Sequence, residues 1–440
     1  MSISFKPDIR LFLCYDDTKL DTGRPVWFVR TGIDVDVLPW NGVAWRGNEL
    51  YELRHCREFF ISFPAVFLAI ADKELREGLA GAFEQYLPQV RLFMPDDGAF
   101  HGAESVSEVV KAAGADADAA IDALCVGAME RPAFGLLNIA AVKRPESDSS
   151  RVVLSGFAEL DRDLGGFAPG ELSVWTGKRG SGKSTLLSQM MLEAVEQGHK
   201  VCVFSGELDA WRYKSWALLQ AAGRRNITEG VDRVSGKRVF SVTAPQENSI
   251  NAWWDGRIFL YDNHIAGATQ ADKILTVFDI AVLRYGCHVF LVDNLMATDF
   301  RLCAENDYYR AQSAFVGGLV DFAKRNMAHV HLIAHPRKLE QDRNLRADDI
   351  GGSSGITDRA DNVFALTRLN PITATEKGYS LVLHVLKNRS DGLIENYSLD
   401  FDPVSRRFFK AGSGNPDKRY SWEPQQVAFQ ELEDDPTAPF

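Results

Sequence analysis

The sequence predicts an α/β protein, with a C-terminal domain built on a mainly parallel sheet and a smaller α/β domain in front of it. Three observations predict this. Between Arg151 and about Lys410, short runs rich in β-branched and large apolar residues alternate with helical patterns, at 172–175, 201–205, 258–261, 289–292, 330–334, 362–366 and 380–386. That alternation is how a parallel sheet covered by helices on both faces reads in sequence. A Gly-rich segment at 177–184 sits between an apolar run, LSVW, and a helical stretch, TLLSQMMLEAVEQG. Finally, residues 63–94 read as a separate strand-helix-strand unit: an apolar run at 63–70, a polar helix-like stretch to Tyr86, and a second run at 89–94.

Length and composition agree. At roughly 150 residues per domain, the 440 residues suggest two or three domains. Hydrophobic residues at 45% and charged residues at 25% exclude a disordered, collagen-like or membrane-embedded chain. No run approaches the roughly 18 apolar residues of a membrane span, so no membrane partner is expected. The six cysteines contain no C-x-x-C pair, which argues for free thiols in a reducing compartment rather than a zinc module or disulfide framework. The N-terminus meets acidic residues too early for a signal peptide and is not an Arg-rich transit segment, so a cytoplasmic protein of bacterial or phage origin is expected. A net charge of −11 excludes a nucleic-acid binder working by bulk positive charge and leaves open a local basic patch.

Taken in order, residues 1–115 form the smaller domain. Residues 116–130 are Ala-rich and read as a helix stopped by Pro132; with the Ser- and Pro-containing connector that follows, 116–150 form a linker. Residues 151–419 form the larger domain. Residues 420–440 hold five acids and no base and read as a flexible tail.

The segment Gly177-Lys178-Arg179-Gly180-Ser181-Gly182-Lys183-Ser184 fits G-x-x-x-x-G-K-[ST] at every fixed position, in the strand-loop-helix context the motif needs. Its glycines let backbone N–H groups converge on phosphate oxygens, Lys183 adds charge at the β/γ-phosphates, and Ser184 offers a hydroxyl to Mg²⁺. The expected ligands are therefore ATP, or another nucleoside triphosphate, and Mg²⁺, with Thr185 opening the helix. Asp293 ends the apolar run 289–292 and is the candidate second ligand in the metal shell. Glu207 follows the run 201–205, where strand ends gather at the ligand edge of an open sheet; an ordinary helix-starting Glu would read the same way. Lys387 and Arg389 share a face two residues apart at the end of the run 380–386, as either a solvated edge or a phosphate clamp.

The order and spacing of these motifs resemble the RecA-like replicative helicases of the DnaB family, and most of all the Twinkle-type proteins and phage helicase-primases. The resemblance covers about 151–410 and rests on the Gly-rich loop together with FSGEL (204–208), FLVDNL (290–295), LIAHPRK (332–338), DIGGSSGITDRADNVFAL (349–366) and VLKNRSDG (385–392). It implies Glu207 as the base polarising water, and His335 as a γ-phosphate sensor where the residues alone show a polar strand end before Pro336. It implies Arg389 as an arginine finger reaching the next subunit with Lys387 beside it, and Arg368 with Phe401 as a sandwich for the nucleotide base. Single-stranded DNA contact would come from the loop after His335, through Arg337, Lys338, Arg343, Arg346 and the flexible Gly351 and Gly352. The implied assembly is a ring of six, or seven, copies translocating 5′–3′.

The N-terminal domain resembles the TOPRIM fold of this family's primases but departs from it. Asp72-Lys73-Glu74 stands where paired carboxylates bind Mg²⁺, and the upstream Glu motif is missing. A degenerate TOPRIM-like domain without primase activity is expected. Two other readings stay open: a RecA- or RadA-like DNA-dependent ATPase of recombination, and a nucleotide-dependent DNA-bound scaffold. The acidic tail ending Pro439-Phe440 resembles tails that recruit replication partners and also reads as a disordered solubilising end.

Overall fold

The computed structural model divides into two units, Met1–Arg144 and Pro145–Phe440. It describes residues 7–131, 136, 139–141, 151–300, 305–335, 355–414, 416 and 418–424.

In the first unit, strands β1 (Leu13–Tyr15), β2 (Val26–Val29), β3 (Gly42–Trp45), β4 (Val66–Ala69), β5 (Leu92–Met94) and β6 (Met129–Glu130) form one sheet in the order β1-β3-β2-β4-β5-β6. The four central strands are parallel, and β1 and β6 close the edges antiparallel. β2 and β4 are buried at every position, as strands covered on both faces must be. Phe28, Phe59, Phe60 and Phe83 pack on one face, and Trp27, Phe67, Phe100, Ile121 and Leu124 on the other. The strand-helix-strand unit expected at 63–94 is β4, the helix Lys73–Tyr86 capped by Asp72, and β5.

The second unit holds β7 (Leu172–Thr176), β8 (Val201–Ser205), a separate exposed hairpin of β9 (Ile227–Val231) and β10 (Arg238–Val242), and then β11 (Ile258–Tyr261), β12 (Val289–Asp293), β13 (His329–Ile333), β14 (Asn362–Arg368), β15 (Leu381–Asn388), β16 (Asn396–Asp402) and β17 (Arg407–Lys410). Nine of these make one sheet in the order β11-β8-β12-β13-β7-β14-β15-β16-β17. From β11 to β14 all pairings are parallel, and β15, β16 and β17 continue it antiparallel. Helices cover both faces. On one side the helix Lys183–Glu196 buries Leu186, Leu187, Met190 and Met191 against Val203, Leu291 and Phe364; on the other Phe278, Phe315 and Phe322 pack on Phe204, Phe290 and Val292. All seven strands expected here are present. β16 and β17 were not foreseen, because the sequence NYSLDFD alternates buried and partly exposed positions rather than forming an apolar run.

Two boundaries differ from expectation. The helix expected over 116–130 spans only Ala117–Cys125; Gly127 turns the chain at φ 79°, and Met129 and Glu130 join the first unit's sheet as β6. Ile121 and Leu124 belong to that unit's core, so this stretch completes the first unit instead of linking out of it. Most of the connector 132–150 lies outside the described residues. The tail does not begin at 420. Tyr420 is buried, stacks on Trp253 at 5.0 Å, and donates its hydroxyl to Glu193 Oε1 at 2.8 Å. Glu193 also meets Arg407 and Lys418, and the indole N–H of Trp422 donates to the Ala221 carbonyl at 2.9 Å. The buried Glu193 carboxylate needs these donors, because an unpaired charge in the core is strongly unfavourable. Residues 425–440 lie outside the described residues.

Tyr420→Ala is expected to cost about 3–5 kcal/mol, the range for a buried aromatic, read as a lower midpoint in urea denaturation. Deletion of 430–440 is expected to leave that midpoint unchanged.

Candidate nucleotide-binding site

The Gly-rich loop joins β7, in the middle of the sheet, to the helix Lys183–Glu196. Two of its positions require glycine. Gly177 has φ 145°, and a Cβ there would lie 2.4 Å from the Leu366 carbonyl; Gly182 has φ 100°, and a Cβ would meet the Phe408 ring at 2.7 Å. No side chain caps the helix start, so its first N–H groups face the loop, as an anion site demands. Lys183 is buried, with Nζ donating to the carbonyls of Gly177 at 2.8 Å and Lys178 at 3.1 Å; burial holds its pKa below the ordinary lysine value.

Strand direction brings the other groups to this loop. β8, β12, β13, β7 and β14 run parallel side by side, so their carboxyl ends form one row. Along that row stand Glu207 after β8, Asp293 and Asn294 at the end of β12, His335 after β13, the loop after β7, and Arg368 at the end of β14. β15 and β17 begin at this edge and β16 ends there, which adds Leu381, Arg406, Phe408 and Phe401. These residues line a cavity of about 540 Å³ with Arg179, Trp216 and Ile333.

Asp293 is buried, and desolvation pushes its pKa up to about 6 against the hydrogen bond from Ser184 and the charge of Lys183. Its Oδ1 is buried with no hydrogen-bond partner among the described residues. A costly carboxylate with one free oxygen beside a serine hydroxyl fits a Mg²⁺ shell completed by nucleotide and water. Asn294 Nδ2 donates to Glu207 Oε1 at 2.6 Å and lies 3.3 Å from His335 Nε2, while its Oδ1 accepts from the Ala297 N–H at 3.0 Å. Asn294 therefore ties Glu207 to His335. Burial and the nearby Lys183 hold His335 below the ordinary histidine value.

The P-loop helix is fastened to the antiparallel edge. Gln189 exchanges two hydrogen bonds with the Phe408 backbone, at 3.0 and 2.7 Å. Gln220 donates to the carbonyls of Thr185 at 2.8 Å and Arg406 at 2.9 Å. Lys387 and Arg389 do not line the cavity. β15 runs antiparallel to β14, so its carboxyl end lies at the opposite edge of the sheet, about 23 Å away along the seven residues of β14. There Lys387 donates to the Thr357 and Ala360 carbonyls at 2.8 and 2.7 Å, and Arg389 donates to Asp361 Oδ1 at 2.8 Å and the Asp358 carbonyl at 2.9 Å. The Arg389 side chain remains 51% exposed. Arg337, Lys338, Arg343, Arg346, Gly351 and Gly352 lie outside the described residues.

Residues 143–341 match the family model of the AAA domain. That stretch, less than half of the chain, is similar to AAA-type ATPase domains. The Twinkle homolog protein, chloroplastic/mitochondrial, of Arabidopsis thaliana is 25% identical over 215 residues; these are 48% of this chain and 29% of that protein, so the chain spans less than a third of that relative. A solved DnaB-like replicative helicase, described with its interactions with primase, shares the fold at a TM-score of 0.50, with 15% identity over 76% of this chain and 78% of that one. A KaiC-like protein of the hyperthermophilic archaeon Pyrococcus horikoshii matches at a TM-score of 0.40, with 17% identity over 58% of this chain and 96% of that one. The family model and the Twinkle homolog bear out the resemblance to DnaB- and Twinkle-type replicative helicases read from the motifs, and the DnaB-like helicase shares the fold.

Of the cofactor residues expected from sequence, Gly180, Ser181, Gly182, Lys183, Ser184, Thr185, Arg368 and Phe401 line the cavity, whereas Gly177 serves it through the carbonyl that holds Lys183. Sequence reasoning missed Arg179, Trp216, Asn294, Arg406 and Phe408. Asn294 adjoins Asp293, and that adjacency was the only signal for it. Arg179 lies inside the loop motif itself, and the other three carry no signal, because sheet order alone brings β17, the turn before it and the helix Ala210–Ala222 to the loop.

The raised pKa of Asp293 makes its charged form the costly one in the metal-free protein. The cost is absent below the ordinary carboxylate value of about 3.9 and fully present above about 6, so Asp293→Asn is expected to stabilise the metal-free protein at pH 8 by roughly 3 kcal/mol. Thermal melts in EDTA at pH 8 and pH 4 check this; the gain is expected to vanish at pH 4. Mg²⁺ competes with the same proton, so Mg²⁺-dependent nucleotide binding is expected to weaken as pH falls through about 6.

Proposed function

We propose that the chain is a nucleoside-triphosphate-driven DNA helicase of the replicative type, working as a ring of six or seven copies that moves 5′–3′ along single-stranded DNA and makes no primers. One observation carries this reading. The cavity gathers a phosphate loop, a metal carboxylate and a Glu that can act on water, while Arg389 stands exposed at the far edge of the same sheet. A ring supplies one subunit's cavity with the next subunit's Arg389.

In this mechanism the loop N–H groups and Lys183 bind the phosphates, and the base lies between Arg368 and Phe401. Ser184 and Asp293 would hold Mg²⁺, which would supply positive charge to offset that of the phosphates. Glu207, oriented by Asn294, polarises the attacking water. Arg389 and Lys387 of the neighbour offset charge developing on the transferred phosphoryl group. His335 reports loss of the γ-phosphate through Asn294 to the basic segment that follows it, whose phosphate contacts hold the DNA.

The absence of primer synthesis is supported by the first unit's chemistry. The Asp72 side chain accepts from the Leu75 N–H as a helix cap, and Asp97 is engaged by Lys73 at 2.7 Å and Arg76 at 2.5 Å. Asp72 and Asp97, which line one cavity, are thus both already engaged by groups of the chain itself. We place the protein in the cytoplasm, with the acidic tail as a docking segment for a replication partner.

Lys183→Ala and Arg389→Ala are each expected to lower DNA-stimulated hydrolysis at least 100-fold, in the range of a lost phosphoryl-transfer group. Arg389→Ala is expected to bind nucleotide normally. Mixing the two variants should restore hydrolysis, because mixed rings contain interfaces with one intact Lys183 and one intact Arg389; no recovery means that Arg389 does not act in trans. Wild type is expected to displace a strand from a forked duplex, and hydrolysis without displacement would overturn the helicase reading. A template-dependent primer assay is expected to give no product.

A further inference from the structure

Outside the phosphate loop, one cation of the nucleotide cavity has no part in the mechanism above. Arg406 lies in the turn between β16 and β17 with φ 57°, a conformation that residues other than glycine adopt at a cost. Its guanidinium sits 3.9 Å over the Trp216 ring, and both side chains line the cavity. Arg406 is half-buried, and burial alone lowers its pKa. Among the described residues no carboxylate pairs with it and no acceptor takes its N–H groups. The next residue shows the contrast: Arg407 is buried, and its terminal nitrogens meet Glu193, Tyr420 and the Gln220 carbonyl.

A guanidinium with five donors, partly desolvated and without a counter-ion, is unfavourable until an anion arrives. The backbone fixes where that anion lies. Gln220 donates to both the Thr185 and the Arg406 carbonyls, so the turn is held against the first turn of the P-loop helix, where the loop's N–H groups meet nucleotide phosphates. Trp216 holds the guanidinium flat by stacking, which a lysine ammonium cannot reproduce.

We propose that Arg406, seated on Trp216, is a nucleotide-binding residue that contacts the phosphates of the nucleotide bound by its own subunit. This rests on the nucleotide-binding reading of the cavity and adds a cis cation to it, distinct from Arg389 in trans. The positive φ provides the control. Arg406→Gly removes the side chain while relaxing the backbone, so a residue that serves only the turn loses nothing when replaced by glycine.

The test titrates the full chain with a fluorescent ATP analogue and Mg²⁺, comparing wild type with Lys183→Ala, Arg406→Gly, Arg406→Lys and Trp216→Leu, with a thermal melt of each. Arg406→Gly is expected to weaken binding about 10- to 100-fold, the range for a lost charge-assisted hydrogen bond, with no fall in melting temperature. Arg406→Lys is expected to fall between wild type and the glycine variant, and Trp216→Leu to weaken binding less than Arg406→Gly. Wild-type affinity in Arg406→Gly, or a loss in Arg406→Lys equal to that of the glycine variant, overturns the proposal while leaving the cavity's reading intact. Failure of wild type to bind the analogue, or undiminished binding in Lys183→Ala, overturns that reading and this proposal with it.

Discussion

Strand direction within one sheet governs the arrangement of this protein's chemistry. Because β8, β12, β13, β7 and β14 are parallel and adjacent, the side chains after their carboxyl ends fall in a single row across the phosphate loop. The antiparallel turn at β15 then divides the cations. Arg406 and Arg368 reach the loop's edge, while Lys387 and Arg389 are carried to the other. No rotamer choice reverses this, since an arginine side chain is several times shorter than the strand that separates the two edges. The requirement for a second copy to complete the proposed catalytic set is thus a consequence of topology.

The far edge is built as firmly as the near one. Asn388 donates to Asn362 Oδ1 at 2.8 Å, and Asn362 donates to Glu171 at 3.0 Å. Ser173 bonds His329 at 2.9 Å, and His329 in turn meets the Ala168 carbonyl at 2.7 Å. Asp361 accepts from both the Leu172 N–H and Arg389. Burial keeps His329 neutral, with its pKa pulled down to about 4, so this histidine adds no charge to the network near neutral pH. A satisfied polar network rigidifies the groups it joins, and here it engages the guanidinium of Arg389 through Asp361 and the Asp358 carbonyl while the side chain stays half exposed. The near edge is under opposite electrostatic stress. Asp293, Lys183 and His335 are each shifted by burial toward their neutral forms, a state that phosphates and a divalent cation relieve. Gln189, Gln220 and the buried Glu193–Arg407 pair keep the P-loop helix against β17 despite that stress.

Much of this was legible in the sequence, for local reasons. The Gly-rich loop declares itself because its backbone tolerates only glycine where Leu366 and Phe408 approach. Buried parallel strands declare themselves as apolar runs, and Asp293 and Glu207 stand just beyond two of them. What was not legible depends on partners distant in the chain. β16 and β17 lack an apolar run, and Trp216 and Arg406 meet only after the sheet has formed. Tyr420 reads as the first residue of an acidic tail until Glu193 and Arg407, far upstream, are seen to enclose it. The Ala-rich stretch at 116–130 has helical propensity throughout, yet Gly127 and pairing with β5 take its end into a strand.

By itself, then, the sequence determined the class of fold, the phosphate loop and the candidate metal carboxylate, because each rests on residues close together in the chain whose conformational or burial needs are local. The tertiary structure alone decided which cations line the cavity and which lie at the opposite edge of the sheet, where the first unit ends, and how far the body extends toward the C-terminus. Those outcomes depend on strand order and direction, which are settled by which apolar faces pack together across hundreds of residues.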